Sequence, residues 1–134
     1  MTEGAFGPEH VNVADQRRDP DSLLSFVETL IRRYRESPEL GWTPRAQVLD
    51  QPHPAVLALR STWTDASTVT LHNLGKEALA VPLELPDLPE GTRLVDLLCQ
   101  GTTEVDAKGR AELTLAGYGY RWLRVEPPGS RRLL

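Results

Sequence analysis

Hydrophobic residues follow two different spacings along the chain, and the change between them separates a helical part from a strand part. Between positions 19 and 38, apolar residues recur every three or four positions, which places them on one face of an α-helix. From Gln47 onward they alternate in twos or form short β-branched runs broken by turn residues, which predicts strands. The apolar residues of the helical part are Leu23, Leu24, Phe26, Val27, Leu30, Ile31 and Tyr34.

The helix has its own start and stop signals. Asp19 is a residue type that caps helix N-termini, and Pro20 suits the first helical position, where a backbone N–H would have no partner. Arginines gather towards the C-terminal end, where the helix dipole favours cations, and Pro38 ends the helix. The pattern therefore predicts one long amphipathic helix.

The remainder predicts about seven strands, at 47–49, 55–63, 68–74, 78–85, 92–98, 111–115 and 118–125. Turn residues at 75–77 and 106–109 are placed to close hairpins. Seven short antiparallel strands at this spacing are typical of a β-sandwich. The predicted fold class is therefore mainly β, an antiparallel β-sandwich preceded by one long amphipathic α-helix.

Four stretches follow from this pattern. Residues 1–18 have no period long enough to define an element and are predicted to be an extended loop. Residues 19–44 hold the helix and its exit, residues 45–126 hold the sandwich, and residues 127–134 form a tail. A sandwich already covers its own inner faces, so the apolar face of the helix is expected to belong to another core.

Composition narrows the class of protein. An apolar fraction of 40% with 25% charged residues is that of a soluble globular chain. A net charge of -4 argues against nucleic acid as the partner, and no apolar run reaches the roughly 18 residues of a membrane helix. We expect a cytoplasmic protein without membrane contact. Cys99, the only cysteine, ends an apolar run and is predicted to be a buried thiol.

Candidate chemistry is sparse. The carboxylates that lie close in sequence are explained by a helix cap and a turn, and the three histidines have neither metal-ligand spacing nor a cysteine nearby. No catalytic residue, metal ligand or cofactor is predicted. Trp63, Tyr120 and Trp122 are candidates for stacking on sugar rings, although aromatic residues on the inner face of a sandwich are the commoner cause of such a pattern.

Several strings in the chain carry a resemblance to a known family. VNV at 11–13, QRRDPDSLL at 16–24 and PELGW at 38–42 stand in the order found at the end of a catalytic barrel, and HPAVLALRSTW, VTLHNLG and GYGYRWLRV follow. Together they resemble the C-terminal part of the trehalose-synthase branch of the α-amylase superfamily. The resemblance implies the last helix of a (β/α) barrel followed by a C-terminal antiparallel β domain of the α-amylase type.

The resemblance also implies a function for a parent enzyme, which would interconvert maltose and trehalose or transfer α-glucosyl units. The catalytic Asp and Glu residues of that superfamily lie on earlier barrel strands, and none of their motif strings occurs here. The chain alone is therefore expected to be non-catalytic. In the first loop, Asn12 and Gln16 either reach the substrate rim or anchor the loop.

Two kinds of partner follow from these expectations. The helix face is expected to pack on the missing catalytic barrel or on a second copy of the chain, through Leu23, Phe26, Val27, Leu30, Ile31 and Tyr34. The alternative is a free-standing module that binds α-glucans or another protein through its β-sandwich.

Overall fold

A computed structural model describes residues 9, 12–41 and 45–129 of the chain. They fall into two compact units, Met1–Glu36 and Ser37–Leu134. The predictions for Trp42, for most of the first loop before Asn12 and for the end of the tail concern positions outside the described residues.

The first unit contains two helices, where the sequence predicts one. Helix α1, Val13–Arg18, occupies the end of the stretch that is predicted to be an extended loop, and that prediction is wrong for these residues. Asn12 caps α1, because its Oδ1 accepts a hydrogen bond of 2.8 Å from the backbone N–H of Asp15. This short helix is held by polar capping. It has no apolar periodicity, so the hydrophobic pattern of the sequence could not predict it.

Helix α2, Leu23–Glu36, starts later than its sequence signals predict. Ser22 is at its N-terminus, where its hydroxyl accepts from the N–H of Ser25 at 3.2 Å. Asp19 closes α1 instead, since its N–H donates to Asp15 and Gln16 carbonyls. The end of α2 agrees with the prediction, because it lies just before Pro38.

The second unit is an antiparallel β-sandwich, which confirms the predicted fold class. The strands are β1 Arg45–Leu49, β2 Val56–Trp63, β3 Ala66–Asn73, β4 Leu79–Glu84, β5 Arg93–Asp96, β6 Thr102–Glu104, β7 Arg110–Leu115 and β8 Tyr120–Glu126. One sheet has six strands in the order β1-β2-β3-β8-β5-β6, and the other pairs β4 with β7. Strand β6 is absent from the prediction, because its three residues, TTE, have no apolar alternation.

The two predicted hairpins are wrong, although chain reversals are present at both places. Strand β3 pairs with β2 and β8, and β4 pairs with β7, so the segment 75–77 carries the chain from one sheet to the other. The segment 106–109 does the same between β6 and β7. Turn residues specify a reversal of direction, whereas the partner of each strand depends on which side chains can be buried together.

The core lies between the two sheets. Side chains alternate along each strand, so one face of the six-stranded sheet is buried against β4 and β7. Fully buried core positions include Val69 and Leu71 of β3, Val81 and Leu83 of β4, and Leu123 of β8.

The opposite side of the six-stranded sheet, here called the outer face, is given by the strand register. Ser61, Thr68 and Arg124 stand side by side on it, and their neighbours along each strand face the core. Its other strand positions include Val48, Leu57, Leu59, Trp63, Thr70, His72, Val95, Tyr120 and Trp122. None of these nine belongs to the hydrophobic core cluster or packs against it.

A linker, Ser37–Gly41, covers part of the outer face. It contains a 3₁₀ turn, Pro38–Leu40, that contacts β2 and β3, and both Ser37 and Glu39 are buried. The hydroxyl of Thr68 donates to Oε1 of Glu39 at 2.6 Å, between two side chains that are each 0% exposed. The linker therefore belongs to the strand unit, and the unit boundary lies at Glu36/Ser37 instead of at residues 44 and 45.

We expect Thr68→Val to lower the free energy of unfolding by about 1–3 kcal/mol, because it leaves a buried carboxyl oxygen without its donor. Thr70→Val is the matched control. Thr70 is buried on the same face and makes no side-chain hydrogen bond among the described residues. Urea unfolding of both variants measures the difference, and equal losses would show that the Glu39 contact does not hold the linker.

Candidate interaction surfaces

Helix α2 presents an apolar face that the described residues leave largely open. No residue of the helix is buried, and Leu23 and Ile31 are 71% and 48% exposed. Val27 and Tyr34, which share that face at helical spacing, are exposed as well. Phe26 is exposed too and Leu30 is half-buried. The six residues of the predicted partner face thus form one surface, although no contact to a partner is tested by the structure.

Asn12 and Gln16, the candidates for the substrate rim, both have structural hydrogen bonds. Besides capping α1, Asn12 donates from Nδ2 to Oδ2 of Asp15 at 2.7 Å. Gln16 Oε1 accepts from the N–H of Leu24 at 3.0 Å, which ties α1 to the first turn of α2. These bonds agree with the anchoring role that was left open from the sequence, and contact with a substrate stays a prediction.

The three aromatic candidates lie on the outer face and not in the core. Tyr120 pairs with His72 and Trp122 with Thr70, whereas the core positions of β8 are Leu123 and Val125. The interpretation of Tyr120 and Trp122 as inner-face aromatics is therefore wrong. Strand periodicity places them on the same face, but it does not distinguish which face covers the core.

The register separates Trp63 from the other two candidates. Trp63 pairs with Ala66, and Tyr120 pairs with His72, six positions further along β3. At about 3.3 Å per residue these ring positions are roughly 20 Å apart along the strand direction. Tyr120 and Trp122 stand together, and Trp63 lies towards the opposite end of the face.

The two ionisable rings at one end of the outer face, His72 and Tyr120, have shifted pKa values. Burial lowers the pKa of His72, and it raises the pKa of Tyr120, to which Cys99 and Asp96 make smaller electrostatic contributions. Leu57, which stands beside His72 on β2, is apolar and exposed. Both ionisable rings are therefore in their neutral forms next to aliphatic surface.

Cys99 is exposed, so the prediction of a buried thiol is wrong. The reason is Asp96 at the end of β5, whose Oδ1 accepts from the backbone N–H groups of Leu98 and Cys99 at 2.9 and 3.0 Å. Its Oδ2 accepts from Arg121 at 3.1 Å. This turn ends the apolar run before Cys99. An Asp directly before such a run, whose side chain can accept from the N–H two residues on, is the signal by which the turn could have been predicted.

The side chain of Asn73, at the end of β3, connects the loop that follows β3 with the loop that precedes β8. Its side-chain amide donates to the carbonyls of Glu77 and Ala116 at 2.7 and 3.0 Å, and its Oδ1 accepts from Gly75. The two loops hold Leu74 and Tyr118, which are 67% and 70% exposed. Tyr118 has a φ of 56°, a left-handed conformation that is uncommon for a residue other than glycine. Sequence analysis did not single out Asn73, Leu74 or Tyr118 as a group.

Other site types have little support among the described residues. Within residues 12–41 and 45–129, no group of three or more His, Cys, Asp or Glu side chains could hold a metal ion. In the same part of the chain, neither helix has the length and apolar content needed to cross a bilayer.

Comparisons with known proteins agree with this architecture. Residues 66–124 match the family described as "Sucrose hydrolase-like, C-terminal domain". The chain is 30% identical over 138 residues to the trehalose synthase of Pimelobacter sp. strain R48, an alignment that covers 97% of this chain and 23% of that enzyme.

Solved structures show the same fold. The α-amylase of Geobacillus thermoleovorans aligns with a TM-score of 0.71 and 20% identity, over 82% of this chain and 24% of its own. The trehalulose synthase MutB of Pseudomonas mesoacidophila MX-45 aligns with a TM-score of 0.65 and 24% identity, over 90% of this chain and 21% of its own. The chain thus spans less than a quarter of the length of these relatives.

The strand unit is therefore a β domain of the kind found in α-amylase-superfamily enzymes. The chain is similar to the C-terminal part of sucrose- or trehalose-synthase-like enzymes of that superfamily, and this similarity confirms the resemblance seen in the sequence.

We expect the free energy of unfolding to fall between about pH 7.5 and about pH 5.5, partly because of His72. Its folded-state pKa lies below the ordinary value of 6.5, so the unfolded chain binds more protons in this range. The stabilising contribution is complete above the unfolded-state pKa and is lost as the pH falls through the folded-state pKa. His72→Gln should reduce the loss, and His53→Gln is the control. Identical pH profiles for wild type and His72→Gln would rule out this contribution.

Proposed function

We propose that this chain is the non-catalytic C-terminal segment of an enzyme that acts on α-glucosides, by interconversion of maltose and trehalose or by α-glucosyl transfer. The observation that carries the proposal is the match to trehalose synthase, which takes in 97% of this chain but only 23% of that enzyme. The segment supplies packing and stability to a catalytic domain formed by other residues.

The exposed face of α2 supports this role. Full burial of a large aliphatic or aromatic side chain contributes about 1.5–3 kcal/mol, whereas an isolated helix of this length is marginal in water. A helix with Leu23, Val27 and Ile31 open to solvent therefore lacks most of its stabilising contacts. Packing of this face into the core of a catalytic barrel would provide them.

Two carboxylates of the strand unit, Asp87 and Asp106, are unsuited to act as the general acid of a glycosidase. A glycosidase needs a carboxylic acid with a raised pKa opposite a second carboxylate. Here the Arg60 hydrogen bond lowers the pKa of Asp87, and the backbone N–H of Arg110 is the main cause of a lowered pKa at Asp106. Both shifts favour the ionised form, which cannot donate a proton to a leaving group.

The purified chain should show no turnover of maltose or trehalose, because the residues for acid catalysis and nucleophilic attack belong to the rest of such an enzyme. Product formation is measured by chromatography of the sugars after long incubation, with the Pimelobacter trehalose synthase as positive control. Turnover that grows with the concentration of the chain and survives repurification would contradict the proposal.

In the absence of a barrel, the helix face should drive self-association of the chain. We expect concentration-dependent oligomers in sedimentation, and Ile31→Asp should shift them towards monomer, because burying a carboxylate in an apolar contact is unfavourable. Arg32→Asp, an exposed position on the polar side of α2, is the control. A wild-type chain that stays monomeric at every concentration would argue against this role of the face.

A further inference from the structure

We draw no further inference here: the strongest candidate, the groove over β4 and β7 that is lined by Pro82, Glu84, Asp106, Arg110 and Glu112, rests on a cluster of surface carboxylates, and nothing among the residues that the structure describes shows what it would bind.

Discussion

Burial of strand β3 on both of its faces is the constraint on which the strand unit depends. Val69 and Leu71 lie in the core, and Thr68 on the other side is fully buried beneath Glu39 of the linker. Hydrogen bonding to β2 and β8 places β3 inside the six-stranded sheet. At Thr68, which is fully buried, the Glu39 carboxylate satisfies the hydroxyl, and loss of that partner would cost about 1–3 kcal/mol. The linker is thereby part of the sandwich, although its sequence looks like the exit of a helix.

The helical unit shows the opposite condition, in which local signals are strong and burial is lacking. Ser22, Asn12 and Gln16 satisfy backbone groups at the helix starts, so both helices are well defined by short-range hydrogen bonds. Capping contributes about 1 kcal/mol at each end, which is small beside the contribution of a buried apolar face. Such a helix is specified by its own sequence, whereas burial of its apolar face requires the further contacts that we propose a catalytic domain to supply.

Sequence alone predicted the elements with long, regular periods and failed where the outcome depends on tertiary partners. The spacing of apolar residues, together with helix-stop and turn residues, predicts the helix, its end before Pro38 and most strands. Strand β6 and helix α1 are too short for a period, and Asp19 was taken as the cap of the wrong helix because Ser22 is an equally good cap. The face on which Trp122 lies could not be predicted, since alternation gives the same pattern for either orientation.

The chemistry of the exposed surfaces favours the proposed role as a domain of a larger enzyme over an independent sugar-binding module. Tyr120 and Trp122 could together support a sugar ring, but Trp63 lies roughly 20 Å from Tyr120 and about 13 Å from Trp122 along the strand direction and cannot join them. Leu57 lies on the same face as these rings, and Asn73 bonds the neighbouring loops. Helix α2 exposes the aliphatic side chains of Leu23, Val27 and Ile31. Sugars gain little from aliphatic surface, whereas protein cores are built from it. The exposed apolar face of α2 therefore supports the proposed role of the chain as part of a longer enzyme.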